Sequence, residues 1–227
     1  MDFDALLTRE VPLVPARAAL LFVDVQNFCA HRRGGEFKDL DDATFAARYG
    51  DFFRRLHSEV LPNMQRLQQA CRRAGVEVLY TVIESLTKDG RDRSLDYRIT
   101  GFHVPRGSWD ARVLDEIAPG EDEIVLPKTS SNVFVSTSID YVLRNMGKRQ
   151  LVVSGLITDQ CVESAVRDAC DLGYLVTLVT DACATYTAAR HDNALREIRG
   201  YCRQLTTAAL VAELETSALP PASVSSP

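Results

Sequence analysis

The sequence predicts an α/β fold, a three-layer αβα sandwich around a central, mainly parallel sheet. Three observations predict it. Short apolar runs rich in β-branched residues recur along the chain, stretches of helical period separate them, and glycine closes three of those stretches. Runs that are apolar at nearly every position belong to strands buried on both faces, and helices on both sides of a sheet supply that burial.

The elements follow in order. AALLFVDV (18–25) reads as the first strand, and FFRRLHSEVLPNMQRLQQACRRAG (52–75) as an amphipathic helix that stops at Gly75. VEVLYTV (76–82) is the second strand. Residues 84–109 show no period. That stretch is long, polar and dotted with aromatics, so it is either a surface excursion or the lid and wall of an active site. IVLP (124–127) is the third strand, SIDYVLRNMG (138–147) a helix, LVVSG (151–155) the fourth strand and CVESAVRDACDLG (161–173) a helix. LVTLVTDA (175–182) is the fifth strand, followed by helical segments at HDNALREIRGYC (191–202) and TTAALVAEL (206–214). Alternation of this kind gives parallel strands joined by right-handed crossovers. With 227 residues the chain makes one domain, residues 1–214, followed by a Pro/Ser-rich tail at 215–227.

Composition narrows the function classes. Charged residues make up 25% and the net charge is -5, and the arginine pairs are short and interleaved with acids, so no nucleic-acid partner is expected. The apolar runs are too short to span a bilayer, so no membrane partner is expected either. The six cysteines show no CxxC spacing, and the first residues do not read as a secretory leader. A cytoplasmic protein with reduced thiols follows as the expectation.

In parallel α/β sheets ligands bind beyond the carboxyl ends of the strands. Asp24 stands at the end of the first strand, Lys128 after the third and Cys161 after the fourth. A cysteine in the first turn of a helix meets unpaired backbone N–H groups and the positive end of the dipole, both of which favour thiolate. Hydrolysis of an amide-like carbon needs a nucleophile, a group that takes its proton and returns it to the leaving amine, and donors for the oxyanion. Cys161 can attack, Asp24 can serve as base and acid, and Lys128 can hold both anionic groups in place. Taken singly, Asp24 reads better as a strand-end cap and Lys128 as a surface residue after Pro127.

Three segments carry a resemblance: LLFVDVQNFC, LPKTSSNVFVSTSIDYVLRNMG and VVSGLITDQCVESAVRDACDLGYLVTLVTDACAT. Over residues 16–214 the chain resembles the isochorismatase-like cysteine hydrolases, on the side of the ureidoacrylate amidohydrolases, N-carbamoylsarcosine amidases and biuret hydrolases. The resemblance implies a catalytic Asp24, Lys128 and Cys161. It also implies a cis peptide between Leu156 and Ile157 and an oxyanion hole made by the Ile157 and Cys161 N–H groups. The implied reaction cleaves a C–N bond of a small linear ureide, N-carbamoyl compound or amide through a Cys161 thioester, with release of ammonia. A nicotinamidase-type amidase and a catalytically silent binding protein on the same fold are the alternatives.

Departures from the family narrow the substrate. The region NFCAHRRGGEFKDLDD has His31 but lacks the Asp-x-His pair of nicotinamidases, and His57 and His103 have no partner at ligand spacing, so no metal and no cofactor is expected. Vinyl-ether hydrolysis belongs to members without the nucleophilic cysteine, and Cys161 is present. Seven residues are candidates for substrate contact. Arg93, Tyr97 and Arg106 can meet a carboxylate, each arginine being a loop salt bridge otherwise. Asn27 can donate to a ureido oxygen and Phe28 can wall the pocket. Phe134 is a second wall or a core residue, and Gln160 can read a second carbonyl. Thr158 and Asp159 read as turn and helix-capping residues. A homo-oligomer, dimer or tetramer, is implied, with TTAALVAEL packed on a partner subunit or on its own sheet.

Overall fold

The computed structural model describes residues 8–217. Six parallel strands form one sheet: β1 (Ala18–Val23), β2 (Glu77–Ile83), β3 (Ile124–Lys128), β4 (Gln150–Leu156), β5 (Leu175–Ala184) and β6 (Arg203–Leu205), in the order β3-β2-β1-β4-β5-β6. Consecutive side chains of β1 leave on opposite faces. Ala18, Leu20 and Phe22 enter one core, while Ala19, Leu21 and Val23 enter the other. Both faces are therefore covered, as the unbroken apolar runs require.

The helices are α1 (Asn27–Ala30), α2 (Asp42–Arg55), α3 (Leu61–Ala74), α4 (Leu95–Ile99), α5 (Val133–Ser136), α6 (Ile139–Asn145), α7 (Glu163–Asp171), α8 (Ala188–Ile198) and α9 (Thr207–Ser217). The first core takes α2, α3 and α9, and the second takes α6, α7 and α8. Asp41 caps α2 by accepting from Thr44 N at 2.8 Å. Helix α3 buries Leu61, Met64, Leu67, Gln68, Ala70 and Cys71 on one stripe and ends at Gly75 with φ 74°.

Several observed elements depart from the expected ones. The helix expected at 52–75 starts ten residues earlier with α2 and passes through a π-helical turn at Leu56–Val60. The segment at 191–202 is helical only to Ile198, and the three-residue β6 lies between it and α9. Arg203 on β6 forms two hydrogen bonds with Glu213 of α9, at 2.8 and 3.0 Å, which ties the edge strand to that helix. Helix α9 runs to Ser217, three residues into the expected tail, and the rest of that tail, residues 218–227, lies outside the described residues. Its Leu210 and Leu214 are buried in the first core, so the helix packs on its own sheet. Among the described residues no helix is long and apolar enough to cross a membrane.

The strand order reverses direction between β1 and β4, which places a crevice at their carboxyl ends. Gly155 makes that crevice possible. It pairs with Val23, has φ 143°, and sits where the register of β4 against β5 shifts. A Cβ there would lie 2.3 Å from Val23 O. Gly155→Ala is therefore expected to cost about 3 kcal/mol or more, combining overpacking with a disfavoured backbone conformation. Urea denaturation measures it, and a loss below about 1 kcal/mol would contradict the close approach.

Candidate active site

Asp24 follows β1 directly and is held with φ 54°, a left-handed conformation rare outside glycine. Its N–H donates to Thr81 O at 3.0 Å, and its Oδ1 accepts from Thr81 Oγ1 at 3.0 Å. Lys128, the last residue of β3, points along the sheet edge toward it. The two form a buried ion pair, Nζ to Oδ2 at 2.8 Å, whose angle falls outside directed hydrogen-bond geometry.

Lys128 Nζ donates to Tyr97 Oη at 3.0 Å, to Ser130 O at 2.8 Å and to Ser131 O at 3.2 Å, and reaches Cys161 Sγ at 3.5 Å. A buried ammonium is tolerable only in such company. Burial alone would lower its pKa, but the charges of Asp24 and Cys161 outweigh that and raise it above the usual lysine value. Lys128 is thus a fixed cation.

Cys161 sits in a π-helical turn, Thr158–Val162, that leads into α7. Its thiol is pushed up to about 12 by burial, and although Lys128 pulls it down, Asp24 raises it by charge and by hydrogen bonding. Burial thus opposes the thiolate that the turn and Lys128 favour. The peptide between Leu156 and Ile157 is cis.

Cys161 and Asp24 open onto a narrow cleft of about 30 Å³, walled by Ile83, Phe102, Leu156 and Ile157. Cys29, Glu36, Gln160 and Tyr186 complete it. Residues 84–109 act as its wall: they contain α4, which carries Tyr97 to Lys128, and Phe102.

Of the expected substrate contacts, Gln160 lines the cleft. Tyr97 is buried on Lys128. Arg93 donates to Gly90 O at 2.8 Å and Phe102 O at 2.9 Å, so it braces the wall from behind. Asn27 Nδ2 donates to Trp109 O at 2.9 Å, and the Phe28 ring meets Phe102 edge-on at 5.1 Å, so both support the wall from behind as well. Arg106 is exposed. Phe134 packs with the second core, its ring 6.1 Å from Tyr174. Thr158 and Asp159 cap nothing. Thr158 Oγ1 meets His191 Nδ1 at 2.8 Å, and Asp159 binds Thr185 Oγ1 at 2.6 Å and Arg190 Nε at 2.5 Å, fastening the Cys161 turn to the start of α8. Glu36 and Tyr186 were not singled out in the sequence.

Among the described residues no group of three or more His, Cys, Asp or Glu side chains is arranged to hold a metal ion. The isochorismatase domain model matches residues 18–209. The chain belongs to the isochorismatase family. Within that family, the ureidoacrylate amidohydrolase RutB of Rhizobium rhizogenes is 31% identical over 188 residues, covering 76% of this chain and 72% of the relative. The RutB of Agrobacterium fabrum is 30% identical, covering 76% and 78%. A cysteine hydrolase from Pseudomonas syringae pv. phaseolicola superimposes with TM-score 0.77 at 24% identity, over 91% of this chain and 96% of that one. N-Carbamoylsarcosine amidase from Thermoplasma acidophilum does so with TM-score 0.64 at 26% identity, over 84% and 96%. The parallel sheet with helices on both faces, the isochorismatase-like fold, is shared with these solved structures.

Proposed function

We propose that this isochorismatase-family chain is a cysteine-dependent amidohydrolase that cleaves a C–N bond of a small linear ureide, N-carbamoyl compound or amide and releases ammonia. The observation that carries the reading is the convergence of Asp24 and Cys161 on one cleft, with Lys128 buried behind them and in contact with both. Relatives named as amidohydrolases support it.

In the proposed reaction Asp24 takes the thiol proton as Cys161 Sγ attacks the carbonyl carbon. Lys128 offsets the negative charge that then appears on sulfur, a transfer between neighbours that needs no free thiolate beforehand. The Ile157 and Cys161 N–H groups receive the oxyanion. Collapse breaks the C–N bond, and Asp24 returns its proton to the departing nitrogen. A water gives a proton to Asp24 and attacks the thioester carbon. The thiol is regenerated when Asp24 passes that proton back to sulfur.

The proposal extends to a homo-oligomer in the cytoplasm. All six cysteines are free, as a reducing compartment keeps them. Leu95, Ile99, Val135 and Tyr141, on α4, α5 and α6, are exposed apolar side chains suited to a subunit contact.

Ammonia release from a panel of ureides, N-carbamoyl compounds, amides and nicotinamide tests the reading, combined with acid quenching and intact-mass measurement. Turnover of one class with an acyl or carbamoyl adduct on Cys161 is the expected result. Release without any adduct, at substrate saturation and short quench times, would argue for direct attack by water instead.

A further inference from the structure

The cleft holds a second carboxylate that the proposed chemistry leaves idle. Glu36 faces it from the loop after α1, and Tyr186, between β5 and α8, donates its phenol to Glu36 Oε1. Both sides of this pair are built in. Gly34 passes so close beneath α1 that a Cβ would lie 2.0 Å from Asn27 O, and Glu36 N donates to Phe28 O at 3.3 Å. Gly35 N donates to Asp110 Oδ1 at 3.2 Å. The Tyr186 ring is clamped edge-on by Tyr49 and Phe52, at 5.2 and 5.4 Å, with the Arg190 guanidinium 5.2 Å over it.

Cations are committed elsewhere. Among the described residues lining the cleft there is no arginine or lysine. Arg93 serves backbone carbonyls, Arg190 is paired with Asp159, and Lys128 is surrounded by its acceptors. A substrate carboxylate entering here would meet Glu36 and find no guanidinium to receive it.

We propose that Glu36 sets the specificity of this cleft: it accepts an N–H from the part of the substrate beyond the scissile carbonyl, selecting a neutral amide or ureide over one bearing a carboxylate there. The proposal deepens the amidohydrolase reading and rests on it for the position of the scissile bond. A carboxylate offers about four acceptor positions, of which the Tyr186 phenol takes one. An amide N–H fills another as a charge-assisted bond, whereas a second carboxylate brings like charge into a poorly solvated space.

The selection carries a pH signature. Burial pushes the Glu36 carboxyl up to about 7, against the hydrogen bond from Tyr186, which lowers it. Rejection of an anion therefore strengthens as pH rises through about 7. The groups around Glu36 are Tyr186, Cys29, Asp110 on the Gly35 amide, and the Asp24, Lys128 and Cys161 cluster across the cleft. Burial raises Tyr186, Cys29 and Cys161, so these stay neutral in that range, and Asp24 and Lys128 offset each other.

The test is calorimetric binding to the Cys161→Ala protein of two matched probes, N-carbamoylglycinamide and N-carbamoylglycine, at pH 6 and pH 8. The neutral probe is expected to bind at least about tenfold more tightly at pH 8, with the ratio narrowing at pH 6. Glu36→Gln should bring the pH 8 ratio to within about threefold. Tyr186→Phe should keep the preference but move its midpoint to higher pH, an effect that a merely structural tyrosine would not produce. Equal binding, preference for the anion, no binding of either probe, or a ratio untouched by both variants overturns the proposal. Ammonia release by the Cys161 protein separates the two readings. Preference in binding without any hydrolysis removes the hydrolase and leaves the selectivity of Glu36 standing, while hydrolysis without preference removes only the latter.

Discussion

Cys161→Ala is expected to abolish ammonia release, by at least about four orders of magnitude, while the protein stays folded. The side chain is 7% exposed and Sγ is one of five acceptor atoms around Lys128 Nζ, so four remain when it goes. Removing a thiol leaves no buried charge unpaired, which limits the stability change to about 1 kcal/mol. Ammonia assay and thermal melting of the same preparation check both halves. Retained turnover would move the nucleophile elsewhere in the cleft, and Cys29, whose Sγ donates to Asp24 O at 3.0 Å, would be the residue to examine.

Asp24→Asn is expected to damage rate and stability together. As proton acceptor Asp24 contributes roughly 10²- to 10⁴-fold, and its loss strands the Lys128 ammonium without its counter-charge. Breaking a buried pair from one side costs about 3–5 kcal/mol, and the carbonyls of Ser130 and Ser131 place this case at the lower end. A third effect runs the other way. Asp24 raises the Cys161 pKa both by charge and by hydrogen bonding, so its removal lowers that pKa while Lys128 continues to favour thiolate. Iodoacetamide should therefore label the Asp24→Asn protein faster than the native one at pH 8. Slower labelling would mean that Asp24 activates the thiol at rest.

Five strands were readable because β-branched runs such as LVVSG and VEVLYTV leave no other way to bury every residue. The sixth was not, since three residues beginning with an arginine carry no period, and the buried Arg203 is met by Glu213 on α9 and Thr177 on β5. The first ten residues of α2 escaped notice for a related reason. DATFAARYGD contains Gly50 and exposed alanines, and its apolar stripe shows only once Phe45 and Tyr49 are seen packed on Phe37. In the site, residues at strand ends were legible and residues on irregular backbone were not. Asp24, Lys128 and Cys161 stand at fixed offsets from strands, whereas Glu36 and Tyr186 meet from loops 150 positions apart. The one local signal was the Gly34-Gly35 pair before Glu36, which marks a backbone forced against another. Arg93 was not legible as a brace, because charge says nothing about which carbonyls a loop has left unsatisfied.

The burial of the Cys161 thiol has a consequence for how long such a catalyst lasts. Peroxide reacts with the anionic form of sulfur, and the climb from sulfenic to sulfonic acid begins there. Burial of Cys161 raises its pKa and so disfavours that form. Cys161 is thereby less open to oxidative wear than the half-buried Cys170, and ageing of the enzyme in aerated solution should begin at Cys170 rather than in the cleft.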